Sequence, residues 1–174
     1  MINIDVEKAA LYLSNSGPLA KTNPDFEERF AQLQLVKEIS HCFNENKIGI
    51  FEAGTGVGKS FAYLIPALLW VKNNNQRVVI STGTINLQQQ LAEKDIIQAQ
   101  KILGSNEKFL LLKGRQNYVC RRRLNDLQEE KDLFFEEEEE LEIIKKWVDT
   151  TETGSKSELT FLPQEALWQR INSE

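Results

Sequence analysis

Apolar residues along this chain recur with two different periods. Phe26, Phe30, Leu33, Val36, Ile39 and Phe43 are three or four residues apart, which predicts an amphipathic helix over Asp25 to Phe43. A shorter helix over Val6 to Leu13 begins behind Asp5, a good N-cap, and ends at the breakers Ser14-Asn-Ser-Gly-Pro18. Lys59 to Lys72 and Ile85 to Leu91 also read as helices, with Pro66 removing one backbone hydrogen bond from the first and bending it. Between them lie short apolar runs of the other kind: Ile48-Gly-Ile-Phe51, Arg77-Val-Val-Ile-Ser81 and Phe109-Leu-Leu-Leu112, the composition of buried strands. Strands alternating with helices predict an α/β class with a parallel sheet covered on both faces.

After Gly114 the pattern changes. Arg121 to Val148 is charged and helical, with Leu124, Leu127, Leu141, Ile144 and Val148 as an apolar stripe. Thr150 to Ser155 reads as a linker, and Leu159 to Ile171 closes the chain with Trp168 as a packing residue. A boundary near Gly114 therefore gives two parts, 1–114 and 115–174, with no repeat at solenoid or propeller periods.

Charge changes this picture more than composition does. The 174 residues carry a net charge of −5 and are 41% apolar, ordinary for a globular chain. The average conceals a segregation: Lys108 to Arg123 holds six bases and no acid, whereas Asp126 to Glu152 holds twelve acids and three bases. A mildly acidic mean thus leaves room for a nucleic-acid surface on the basic strip. The run Glu136 to Glu140 reads as a solvated helix face. No apolar run is long enough to span a bilayer, and the first residues lack a basic head followed by an apolar body, so the expectation is a cytoplasmic protein without a membrane partner. Two cysteines, Cys42 and Cys120, make no disulfide framework. Cys42 falls within a helix and reads as core; Cys120 lies among cations that favour its thiolate, but a small packed side chain is the ordinary role of such a residue.

The strongest chemical signal is Ala53-Gly-Thr-Gly-Val-Gly-Lys59-Ser60, placed between an expected strand and an expected helix. Glycines at 54, 56 and 58 let successive amides turn toward an anion, and the helix beginning at Lys59 adds its positive end. Ala53, Gly54, Thr55, Gly56, Val57 and Gly58 would cradle phosphates, Lys59 would neutralise the β- and γ-phosphates, and Ser60 would ligate Mg²⁺. ATP and Mg²⁺ are therefore the expected cofactors, with Lys59 and Ser60 the catalytic candidates. Ser81, Thr82 and Thr84 stand between a strand and a helix, where they either cap the helix or hold a DNA phosphate. In the basic strip, Lys113, Arg115 and Arg121 can follow a nucleic-acid backbone and Tyr118 can stack on a base.

The loop opens with Ala53 where the common pattern has glycine, and Phe51-Glu-Ala-Gly-Thr-Gly-Val-Gly-Lys-Ser60 resembles motif I of the DinG/XPD group of superfamily 2 helicases. Gly17-Pro-Leu-Ala20 with Phe26-Glu-x-Arg29-x-x-Gln32 resembles the segment that precedes motif I in that group, and Val79 to Gln88 resembles motif Ia, with Gly83 where the family usually has histidine. Lys113-Gly-Arg-x-Asn-Tyr-x-Cys120 is similar to the entry of the family's iron–sulfur domain. The resemblance implies a RecA-like P-loop lobe followed by the mostly helical start of an inserted iron–sulfur domain. It implies Gln32 as the reader of the adenine edge, Arg29 as a brace of the same site, and Cys120 as the first of four thiolate ligands of a four-iron cluster that two cysteines cannot assemble. It further implies ATP-driven 5′–3′ unwinding of single-stranded or forked DNA in repair, with no obligate protein partner.

One element of that machinery has no counterpart. No Asp-Glu dipeptide occurs to hold Mg²⁺ and orient water, so the chain is expected to be an N-terminal piece, catalytically incomplete alone. The alternative is a binding module for nucleotide or single-stranded DNA without turnover. A small P-loop kinase ranks last, since Arg121 to Arg123 are the sole candidates for lid arginines.

Overall fold

The computed structural model describes residues 1–23, 25–129 and 135–174. They form two compact units, Met1–Leu111 and Leu112–Glu174.

The first unit is built from helices. α1 (Val6–Leu11) starts where Asp5 accepts a hydrogen bond from the Lys8 N–H at 3.0 Å, satisfying one of the amides that a helix start leaves open. α2 is Pro18–Thr22, with proline in its first turn where a missing N–H costs nothing. α3 (Phe30–Glu45) and α4 (Lys59–Asn74) end on Asn46 and Asn75, both left-handed at φ 51°. α3 begins five residues later than periodicity places it. Arg29 has extended backbone angles, and this keeps its side chain ahead of the helix rather than on its flank. Pro66 lies inside α4, as expected, and is buried.

α5 (Ile85–Gln90) passes through a single wide turn, Leu91–Asp95, into α6 (Ile96–Leu103). The helix is thus far longer than the expected Ile85 to Leu91. Leu13, Val36, Ala62, Ile65, Leu91 and Ala99 meet in one core, with Phe43 tilted against Trp70 at 5.5 Å between ring centres. The first residues are strapped onto this core by two asparagines that act as peptide mimics. Asn74 accepts from Ile2 N–H at 2.7 Å and donates to its carbonyl at 2.9 Å, and Asn44 does the same for Ile4 at 2.7 and 2.9 Å.

The parallel sheet expected of the α/β class is not formed among the described residues. Segments 48–51, 77–81 and 109–112 have no ladder, and the apolar side chains of Ile48, Ile50 and Val79 are 96%, 95% and 89% exposed. A strand exists only when a neighbour accepts and donates its hydrogen bonds, and these three segments do not serve one another. The bridges that occur among the described residues are isolated, Tyr118 with Ser155 and Val119 with Asn172.

Those two bridges belong to the second unit, where α7 (Arg121–Glu129), α8 (Phe135–Val148) and α9 (Glu165–Ile171) enclose a separate core. Leu124, Leu127, Leu141, Ile144 and Val148, the stripe that periodicity assigns, are buried in it together with Trp168. Positions 130–134 of the expected Arg121 to Val148 helix lie outside the described residues. Trp168 donates its indole N–H to the Gln116 carbonyl at 2.7 Å, and Cys120 N–H reaches the Ile171 carbonyl at 2.7 Å, so the entering and leaving segments of the unit are tied together.

Candidate functional site

The glycine-rich loop leads directly into α4. Gly56 and Gly58 have φ values of 80° and 85°, angles that a side chain resists, and Gly58 is the residue that starts the helix. Four carbonyls of this loop are held by side chains. Lys59 Nζ folds back to donate to Ala53 and Gly54 at 2.8 and 2.7 Å. From the neighbouring element, Arg29 Nη1 donates to Gly56 at 2.6 Å and Gln32 Nε2 to Gly58 at 2.9 Å. Gln32 is 4% exposed, so its amide is a built component of the loop wall rather than a solvated side chain.

Gly58 and Gln32 are matched sterically as well. A Cβ at residue 58 would lie 2.1 Å from Gln32 Nε2. Gly54 and Gly56 meet no such neighbour, and the space around them is open. Thr55 is exposed at the loop tip, Val57 is half-buried, and Ser60 sits in the first turn of α4.

One residue beside this site has no signal in the motif. Tyr63 follows Ser60 by one turn of α4, and burial pushes its phenol above the ordinary value. A hydrogen bond from the Ser60 side chain opposes that shift, and the charge of Asp95 adds to it. What could have exposed Asp95 in the sequence is its register: it stands four residues after Leu91 and four before Ala99, on the apolar face.

Motif Ia residues occupy the turn before α5. Thr84 Oγ1 accepts from the Leu87 N–H at 3.2 Å, and Thr82 Oγ1 donates to the Thr84 carbonyl at 3.2 Å, so both hydroxyls serve the helix start. Ser81 is exposed.

The basic candidates lie in the second unit. The Tyr118 hydroxyl accepts from the Lys113 N–H at 2.9 Å and closes the turn that contains Arg115, while Lys113 Nζ donates to Ser157 at 2.7 Å. Arg121 donates to the Val148 carbonyl at 3.1 Å, the end of α8, and Arg123 to the Asn172 carbonyl at 3.2 Å, just beyond α9. Arg122 is exposed, 3.7 Å from Asp126. Cys120 is half-buried with a free thiol, and no group of three or more metal-ligating side chains occurs among the described residues.

A glycine loop of this geometry, closing on a Lys-Ser pair at a helix start, defines a P-loop nucleotide-binding protein. The DEAD/DEAH box helicase family matches residues 30–162, and the chain belongs to that family. The family implies a RecA-like P-loop fold, of which the described residues form the helices and the glycine loop but not the parallel sheet. ATP-dependent DNA helicase YoaA of Haemophilus influenzae is 36% identical over 154 residues, 88% of this chain and 23% of the relative. The protein named 3′-5′ exonuclease DinG in Bacillus subtilis is 30% identical over 171 residues, covering 97% of this chain and 18% of its own length. ATP-dependent helicase DinG of Mycobacterium tuberculosis is 38% identical over 102 residues, 56% of this chain and 15% of the relative. The chain spans less than a quarter of the length of these curated relatives. Among its described residues, no helix is long and apolar enough to cross a membrane.

Proposed function

We propose that this chain carries the nucleotide-gripping and DNA-facing front part of a DinG-type ATP-dependent DNA helicase. The observation that supports it most is the loop itself: four carbonyls of residues 53–58 are held by Lys59, Arg29 and Gln32, three donors gathered around a glycine turn at a helix start. ATP would draw Lys59 off Ala53 and Gly54 onto the β- and γ-phosphates, with Ser60 ligating Mg²⁺. With Nε2 committed to Gly58, Gln32 offers its Oε1 to the amino group of adenine. In the whole helicase the activity would be 5′–3′ unwinding of single-stranded or forked DNA in repair, in the cytoplasm and without an obligate protein partner. Ser81, Thr82 and Thr84 would meet DNA phosphates from the first unit, and Lys113, Arg115 and Arg121 from the second, where Tyr118 would stack on a base.

Alone, the chain would bind without turnover, since it has no Asp-Glu pair to orient the attacking water. Its two cysteines do not fit a four-iron cluster, and Cys120 would be the single thiolate it offers to one. Titration calorimetry with a slowly hydrolysed ATP analogue and Mg²⁺ tests the reading. Lys59→Ala is expected to weaken binding about tenfold or more, from the loss of charge-assisted bonds worth about 1.5–3 kcal/mol. Equal affinity in the two proteins would remove the phosphate-loop assignment, and DNA-stimulated ATP hydrolysis by the isolated chain would overturn the claim of incompleteness.

A further inference from the structure

The second unit holds a polar cavity of about 470 Å³ between the Arg115–Asn117 turn and α9. That volume is in the range of sites for small organic groups. Four amide side chains line it, Gln116 and Asn117 from the turn, Gln169 from α9 and Asn172 just past its end. Asn172 is the most constrained of the four, at 7% exposed. The Glu174 N–H donates to its Oδ1 at 2.9 Å, which fixes the end of the amide that is the oxygen. Its NH₂ group has no protein partner among the described residues and opens on the cavity. A nearly buried donor in that state is disfavoured until a ligand or water meets it.

The other amides add acceptors and a further donor. Asn117 Nδ2 is committed to the Gly114 carbonyl at 3.1 Å and Gln169 Nε2 to Glu165 Oε1 at 3.3 Å, so each keeps an amide oxygen to spare. The Gln116 backbone is anchored, since its carbonyl takes the Trp168 indole N–H at 2.7 Å, while its side-chain amide makes no hydrogen bond among the described residues. Trp168 is 2% exposed, and Lys156 Nζ lies 5.2 Å from its ring centre and 3.3 Å from Glu165, so the floor of the cavity is held from both sides. This lining disfavours simple ions. A phosphate inside would face the carboxylates of Glu165 and Glu174, and a metal cation the Lys156 ammonium. Asparagine and glutamine amides instead match the edge of a nucleobase, which presents donors and acceptors side by side in one plane.

Arg115 immediately precedes Gln116 and is exposed. We propose that the cavity receives one unstacked base of a DNA single strand, met by the amides of Asn172, Gln116, Asn117 and Gln169, with a phosphate of the same nucleotide on Arg115 outside. The proposal rests on the DNA-facing reading of the second unit above. A single strand turns a base out at little cost, whereas a duplex must first break a pair and its stacking. What the cavity adds is dependence on the base itself: a strip that only follows phosphates holds a strand with or without bases alike.

Fluorescence anisotropy on the whole chain, at one fixed salt concentration, compares a labelled single strand of mixed sequence with a strand of equal length whose sugars carry no bases. The unaltered protein is expected to bind the base-bearing strand about fivefold more tightly or better. Gln116→Ala and Gln169→Ala should each remove most of that preference and leave affinity for the baseless strand within about twofold. Asn172→Leu should do the same, whereas Arg115→Ala should weaken both strands alike. Gln116 is exposed and holds Trp168 through its carbonyl, so its variant decides the matter if Asn172→Leu does not fold. A preference that survives in Gln116→Ala and Gln169→Ala overturns the proposal. Equal affinity of the unaltered protein for the two strands overturns it too, even where a free deoxynucleoside binds, since the ligand would then be a free nucleobase compound. Binding of neither strand would instead remove the DNA-facing reading, and this inference with it.

Discussion

Gly58 meets two demands that no other residue satisfies together. Its φ of 85° lies in the left-handed region, and a Cβ there would collide with Gln32 Nε2 at 2.1 Å. Gly58→Ala should therefore push Gln32 away from the loop, lower stability by about 1–3 kcal/mol and abolish detectable nucleotide binding, measured by thermal melting alongside calorimetry. Gly54→Ala makes the matched control, since nothing stands within 4 Å of a Cβ there and φ is not positive. Lys59, Ser60 and the glycines were legible in the sequence because backbone freedom and charge must occur at fixed spacing around an anion. The carbonyl partners of Arg29 and Gln32 were not, since they lie 27 and 26 residues away along the chain.

The arginines of α7 show how an element redistributes roles that composition treats as equal. Arg121 and Arg123 hold carbonyls at the end of α8 and just past α9, places where helices leave acceptors open and favour positive charge. Arg122 points outward beside Asp126. Arg121→Ala should cost about 1 kcal/mol in thermal or denaturant unfolding. Arg122→Ala should leave stability unchanged and lower the salt dependence of single-strand binding by close to one released counterion.

A second element-scale prediction concerns the turn at Lys156–Glu158. Hydrogen bonds from Thr151 and Thr153 hold the Glu158 carboxyl below its ordinary value. A depressed folded-state value means that the stabilisation is present above the ordinary carboxylate range and is lost as pH falls through the depressed one. Glu158→Gln should accordingly flatten the loss of stability on acidification, with the difference from the parent protein disappearing at the acid end. An acid titration of melting temperature checks this. Helical periodicity foretold α7 and α8 as apolar stripes, but it could not assign Arg121 to a helix end, because that end belongs to another helix.

At the scale of the whole molecule, the exposed apolar segments stand out. Ile48, Ile50 and Val79 lie open to solvent in stretches whose backbone has no ladder partner among the described residues. Unpaired, apolar stretches of this kind adhere to one another and to hydrophobic dyes. Ile50→Lys combined with Val79→Lys should leave helix content and nucleotide affinity unchanged while reducing dye fluorescence and concentration-dependent association. Circular dichroism, calorimetry and sedimentation measure the three quantities. Persistence of both dye binding and association in the double variant would place the sticky surface elsewhere.

Taken by itself, the sequence determined most of α1, α3 and α4, the apolar stripe of α7 and α8, and the glycine spacing ahead of Lys59 and Ser60. Each of these is written in local currency: a period, a cap, or a spacing of glycines before Lys59 and Ser60. The tertiary structure decided which carbonyls Arg29 and Gln32 hold, that Arg121 serves a helix end, and that Asp95 is buried on a π turn and bonded by Gln90. It also decided that three strand-like runs form no sheet among the described residues. The physical reason is common to all four. Hydrogen-bond partners and burial are properties of pairs of segments, and a one-dimensional pattern specifies each member of a pair without specifying the meeting.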